Sequence, residues 1–125
     1  MSDGLAGVVV SHGVLGEAFV QAVRAITGLP DGLHAITNEG CDRAALLARL
    51  TDAIGDRPAV VFTDLPSGSC LQAAVGYLRT HDQVAVVAGV NLAMLIDFVY
   101  HRDAAPAAAA ARAAAKGGQA VRALP

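Results

Sequence analysis

At 125 residues with a net charge of −2, the chain is long enough to bury a core of its own, and we read residues 1–125 as one domain. Hydrophobic residues make up 54% of it, but 27 of them are alanine, and no apolar run reaches the ~18 residues of a spanning helix. Singly scattered basic residues and an aromatic content of 4% exclude a basic stripe or stacking platform for nucleic acid, while Met1-Ser2-Asp3-Gly4 lacks the basic and apolar regions of a signal peptide, so the cytoplasm is the expected compartment.

The first apolar run, residues 5–10, predicts a strand. A helix follows, with Leu15, Phe19, Val20, Val23 and Ile26 at helical spacing. The turn at Gly28-Leu29-Pro30-Asp31-Gly32 stops it. Residues 33–37 predict a weaker second strand. Asp42 is the expected N-cap of a helix that carries Leu46, Leu47, Leu50 and Ile54 and ends at Gly55. Residues 59–63 form the third strand. A helix over about 68–80 turns Leu71, Ala74, Val75 and Leu78 inward. Residues 84–87 give a fourth strand and 92–101 a fourth helix. The alanine-rich segment 104–115 predicts a last helix that starts at Pro106 and stops at Gly117-Gly118. Such a helix has little to bury, and residues 119–125 either add a short strand or fray. Strands and helices in strict alternation, with runs at 8–10, 60–62 and 84–87 that do not alternate polar and apolar, specify an α/β fold. It is an open, doubly wound, mainly parallel sheet with helices on both faces.

Open parallel sheets bind ligands beyond the carboxyl ends of their strands. Ser11-His12-Gly13 follows the first strand, Asp64 to Ser69 the third and Gly89-Val90-Asn91 the fourth, so all three sets share one edge. A histidine, whose unperturbed pKa is about 6.5, can serve in that place as a nucleophile or base near neutral pH. Asp64 opposite it would fix the tautomer and leave the other nitrogen free to attack. The plainer use of His12 is a strand-end ring bonded to a carbonyl. Ser67-Gly68-Ser69 opens a helix, whose free amides and partial positive charge suit phosphate; the plainer use of Ser69 is a cap. No P-loop or full dinucleotide turn is present, and neither a GxSxG elbow nor HExxH. His34, His81 and His101 share no metal spacing, and exposure to solvent accounts for His81 and His101. Cys41 and Cys70 have no CxxC partner and read as free thiols; Cys70, in a first helical turn, reads as packing, with a helix end that lowers thiol pKa values. Neither a metal nor a cofactor is expected.

Val9-Val10-Ser11-His12-Gly13, Phe62-Thr63-Asp64-Leu65-Pro66-Ser67-Gly68-Ser69-Cys70 and Ala88-Gly89-Val90-Asn91-Leu92-Ala93-Met94-Leu95 together resemble the IIA component of the mannose-family sugar phosphotransferase system. The resemblance covers nearly the whole chain and implies the mannose-type IIA fold and a homodimer. It implies that His12 accepts a phosphoryl group on Nε2 from phospho-HPr and passes it to a separate IIB component, so that the membrane permease is reached only indirectly. Asp64 matches the aspartate that bonds the histidine ring, and Ser69 matches the serine at the phosphoryl site, with Gly13, Ser67 and Gly68 beside it. Ser67-Gly68-Ser69-Cys70 stands where many members have Gly-Gly-Ser-Pro, Ala93 stands where proline is frequent, and residues 116–124 look like a shortened form of the last segment, which in the family can exchange a strand between subunits. The phosphotransfer subunit that serves dihydroxyacetone kinase has a similar first motif, but the later motifs fit the sugar system better.

Three functions are compatible with these residues. The first is a phosphoryl carrier in sugar uptake. The second is a regulatory module in which the same phosphorylation, worth roughly −1.5 to −2 charges, switches the binding of a partner protein. The third is a nucleotide- or small-anion-binding domain with no covalent step, resting on the helix start at Gly68.

Overall fold

A computed structural model describes residues 4–125; the opening residues used above to expect no leader, Met1 to Asp3, lie outside them. The elements alternate as expected: β1 (Ala6–Ser11), α1 (Leu15–Thr27), β2 (Leu33–Thr37), α2 (Arg43–Ile54), β3 (Ala59–Thr63), α3 (Ser69–Leu78), β4 (Val84–Ala88), α4 (Leu92–Tyr100) and α5 (Pro106–Ala120). The strands form one sheet in the order β2-β1-β3-β4, and every pairing is parallel. The chain leaves β1 to one side for β2 and returns to its other side for β3. The switch point of the sheet therefore lies between the carboxyl ends of β1 and β3, where doubly wound sheets hold their ligands.

Each face of the sheet is covered. Val9, Val60 and Phe62 pack with Val20 and Val23 of α1, with Leu95 and Phe98 of α4 and with Ala109 and Ala113 of α5. Val8, Val10 and Val61 pack with Leu46, Leu50 and Ile54 of α2 and with Cys70, Ala73 and Ala74 of α3. Phe62 meets Phe98 edge to face at 5.2 Å, an arrangement that adds about 0.5–1.5 kcal/mol to the area buried. Gly7 lies beneath the same ring; a Cβ there would come within 2.5 Å of Phe98 Cε2.

Three helices differ from expectation. In α1, Val20 and Val23 are buried but Leu15 and Ile26 are exposed, because Gly16, Val20 and Val23 form the centre of the inner face and 15 and 26 fall on its flank. In α3 the buried residues are Cys70, Ala73, Ala74 and Tyr77, not Leu71, Val75 and Leu78. The face is turned by about one residue, and its small side chains let the helix sit close to the sheet. The third difference is α5, which runs through Gly117-Gly118 to Ala120. Its alanines bury a face against α4: Ala109, Ala110, Ala113 and Gly117 are all buried. A Cβ on Gly117 would come within 2.7 Å of Met94 Cε and 3.0 Å of Asn91 Oδ1, so this glycine serves close helix approach instead of a stop. Beyond Ala120 the tail joins no strand, and Val121 and Leu124 are exposed.

Candidate functional site

The local sequence around His12 fixes its backbone before any ligand arrives. Ser11 is fully buried at the end of β1, and its Oγ accepts the Gly16 N–H at 2.7 Å. Val14, the N-cap of α1, contributes no side-chain bond, so Ser11 satisfies an amide of that first turn from upstream. Gly13 supplies the positive φ of 57° that turns the chain from strand to helix. A Cβ on Gly16 would lie 3.0 Å from Ser11 Oγ and 3.1 Å from Val9 O, so the helix start is pressed against the strand end.

Across the switch point, Asp64 holds His12 twice. Its Oδ2 accepts the His12 backbone N–H at 2.9 Å and lies 2.8 Å from Nδ1. A carboxylate only accepts, so the ring proton sits on Nδ1 and donates to Asp64. Nε2 then carries the lone pair and has no hydrogen-bond partner among the described residues. The His12 side chain is 48% exposed, whereas that of Asp64 is 7% exposed. Burial works to raise the Asp64 pKa, but the His12 N–H and ring outweigh it and hold the carboxyl below the ordinary aspartate value. Its Oδ1 is buried without a partner, which leaves the charge dependent on His12 and ready to stabilise a ring that becomes cationic.

The loop after Asp64 leads to α3. Gly68 is the N-cap, with φ 89° and ψ −168°, a region that only glycine visits freely. Gly68 caps with no side-chain bond, and the first intrahelical bond is from Gln72 N–H to Gly68 O. The amides of residues 69–71 therefore precede the helix's own ladder. Ser67, Gly68 and Ser69 are all exposed, and nothing lies within 4 Å of where a Gly68 Cβ would stand.

One neighbour goes unnoticed in the sequence, and a second, Cys70, reads there only as the packing residue that its burial shows it to be. Asn38 follows β2 and donates from Nδ2 to Ser69 Oγ at 3.3 Å; the question put to strands one, three and four, which polar residue comes next, also finds it at strand two. Cys70 brings Sγ to 3.9 Å from His12 Nδ1. Its thiol pKa is raised, by burial first and then by the Asp64 charge, the reverse of the lowering expected from a helix start. The third expected set does not join the site. Asn91 caps α4 by accepting Met94 N–H at 3.0 Å and donates to Gly117 O at 2.9 Å. Exposure is not the account of His81, which is half-buried and stacks flat on Tyr77 at 3.7 Å; the His101 side chain is 41% exposed, with Nδ1 2.8 Å from Asp97 O.

His12 Nδ1, Asp64 and Cys70 Sγ lie within 4.8 Å of one another, a donor set of the kind zinc takes. Ligation needs a deprotonated thiol and a free Nδ1. Here Nδ1 is committed to Asp64 at 2.8 Å, so a metal on that nitrogen would have to break the bond that orients the ring.

Residues 6–116 match the profile of the EIIA-man family, described as the PTS system fructose IIA component. The chain belongs to this family. Among solved structures it is similar to the mannose/sorbose-specific IIA subunit of the phosphotransferase system from Enterococcus faecalis, with 27% identity and a TM-score of 0.86 over 98% of this chain and 96% of that one. It is also similar to the phosphotransferase system component EIIA from Streptococcus agalactiae, with 18% identity and a TM-score of 0.88 over 95% and 96%. A sigma-54 interaction domain protein from Enterococcus faecalis shares the fold at 9% identity, TM-score 0.77, over 98% and 96%. No curated protein matches the chain. The family is one of phosphotransfer proteins, and no helix among the described residues is long and apolar enough to cross a membrane.

Proposed function

We propose that this IIA protein carries a phosphoryl group on His12 Nε2, taking it from phospho-HPr and giving it to a separate IIB component. The observation that supports this most is the Asp64 bond to Nδ1 at 2.8 Å, which leaves Nε2 as the nucleophile on a half-exposed ring. The Nε2–P bond forms as the donor's N–P bond breaks. The Nδ1 proton stays in place, and the positive charge that develops on the ring faces the Asp64 carboxylate. Phosphoryl transfer needs mainly alignment and donors for the equatorial oxygens. Ser69 Oγ and the amides of the α3 first turn supply donors, with Gly13, Ser67 and Gly68 bordering the space. Val14, Leu15 and Leu65, next in sequence to the reacting pair and exposed, give a protein donor or acceptor an apolar rim to dock on. A homodimer is part of the proposal; the tail that would exchange a strand in it stays outside the sheet of one chain.

The test is incubation with phosphoenolpyruvate, enzyme I and HPr, read by intact mass beside His12→Ala. The expected result is one acid-labile phosphoryl group, absent in the variant and lost again on addition of IIB. Equal phosphorylation of His12→Ala rejects the assignment. A phosphorylated protein that returns nothing to IIB but gains or loses another partner would replace the carrier role with the regulatory one.

A further inference from the structure

At the end of the sheet where the strands begin, a cavity of about 240 Å³ gathers three arginines from three different segments. Arg24 reaches it from the last turn of α1, Arg57 from the lead into β3 and Arg102 from the stretch after α4. His34 of β2 and Asp31 complete the charged lining. Two of the guanidiniums are pinned by main-chain carbonyls. Arg102 Nε donates to Leu5 O at 2.8 Å, and the chain packs against Gly32, where a Cβ would come within 2.9 Å of Nε. Arg57 donates from Nε to Ile54 O at 3.2 Å and from Nη2 to Ala53 O at 2.9 Å. A guanidinium has five N–H donors, so Arg57 keeps donors for a ligand. Neither Arg24 nor Arg57 forms an ion pair among the described residues, and Asp31 pairs with neither of them.

Arg24 and Arg57 are therefore held near one another around open space, with Arg102 beside them. His34 registers the result. Desolvation of its ring, followed by the charges of Arg57, Arg24 and Arg102, lowers its pKa, and Asp31 is the weakest influence and the only one opposing. Guanidinium forks suit oxyanions. The volume lies below the ~300–1,000 Å³ of pockets for drug-sized ligands, which limits the occupant to a small one.

We propose that this cavity is a binding site for a small oxyanion, the size of inorganic phosphate or a three-carbon phosphate ester. It is separate from the His12 site: β1 starts at Ala6 in the cavity wall and ends beside His12, a span of about 20 Å. The proposal does not depend on phosphoryl transfer at His12.

The experiment is NMR of the full chain with labelled histidines, titrated with inorganic phosphate and separately with glycerol 3-phosphate at constant ionic strength. His34 ring resonances should shift saturably, and the ring pKa should rise when the anion is bound. Arg24→Gln, at an exposed position outside the core, should weaken that binding about tenfold and leave the rest of the spectrum unchanged. A stronger response to the ester assigns the cavity to a phosphorylated metabolite, and an equal response assigns it to phosphate itself. His34 shifts that do not saturate, or that persist unaltered in Arg24→Gln, overturn the proposal.

Discussion

Two helices begin beside His12, and their first turns are finished in opposite ways. The start of α1 is closed: buried Ser11 turns back to take the Gly16 amide, and the strand end, the turn and the helix become one rigid piece. The start of α3 is open: its cap is Gly68, which brings no side chain. By contrast α2 and α4 are capped by Asp42 accepting Ala45 N–H at 2.8 Å and by Asn91 accepting Met94 N–H. In the proposed function the closed end places the nucleophile, and the open end is left for the anion that the nucleophile would receive. Asp64, on the loop between β3 and α3, ties the two together through both the backbone and the ring of His12.

Cutting that tie should have the largest effect. Asp64→Asn is expected to slow phosphorylation about 100-fold through loss of tautomer and alignment, measured as the rate of phosphoryl gain from phospho-HPr. The same variant carries a pH signature. Because the folded Asp64 carboxyl titrates below its unfolded value, its contribution to stability is complete above the unfolded value of about 3.9 and disappears as the pH falls through the lower folded value. Chemical denaturation across the acid range should show this slope in the wild type and lack it in Asp64→Asn.

Next comes the open end. Gly68→Ala adds a Cβ that meets nothing, so any cost is backbone strain at φ 89°, of order 1–3 kcal/mol. Relief of that strain by re-turning the loop would move Ser69, and transfer should slow about tenfold even where the fold survives. Unchanged kinetics in a folded Gly68→Ala would show that the open turn does not matter. At the closed end the balance reverses. Ser11→Ala leaves the Gly16 amide buried without its acceptor and should cost about 1–3 kcal/mol of stability, with a smaller loss of rate than Gly68→Ala. The least effect belongs to Cys70→Ala. Burial raises its pKa and favours the thiol over the thiolate, so the variant should transfer at nearly the wild-type rate; alkylation of Cys70 should be slower in the folded protein than in urea.

Much of this was legible in the sequence because local chemistry and tertiary packing agree. Gly28 and Gly55 end their helices, Asp42 caps α2, and β3 occupies the residues its apolar run predicts. His12 and Asp64, 52 residues apart, were paired by the rule that parallel strands present one edge. What was missed depends on facts that hydropathy does not carry. The inner face of α3 is chosen by small residues that permit close approach, so the larger Leu71 and Leu78 misled. Ala109, Ala113 and Gly117 looked empty of purpose because alanine and glycine bury little area; their use is the short distance to α4. Ser11 read as one member of a motif, yet its work is structural and invisible without knowing that Gly16 lies above it. The arginine cavity escaped because its members are distant in sequence and scattered singly, the same pattern that excluded a basic stripe.

In the proposed function Asp64 holds the proton on Nδ1 and so directs phosphorus to Nε2. The most direct measurement is NMR of the phosphorylated protein with nitrogen-labelled histidine, reading phosphorus–nitrogen coupling at His12. The expected result is phosphorus on Nε2, with Nδ1 protonated and its proton in a strong hydrogen bond. Phosphorus on Nδ1, or on any residue other than His12, would contradict it.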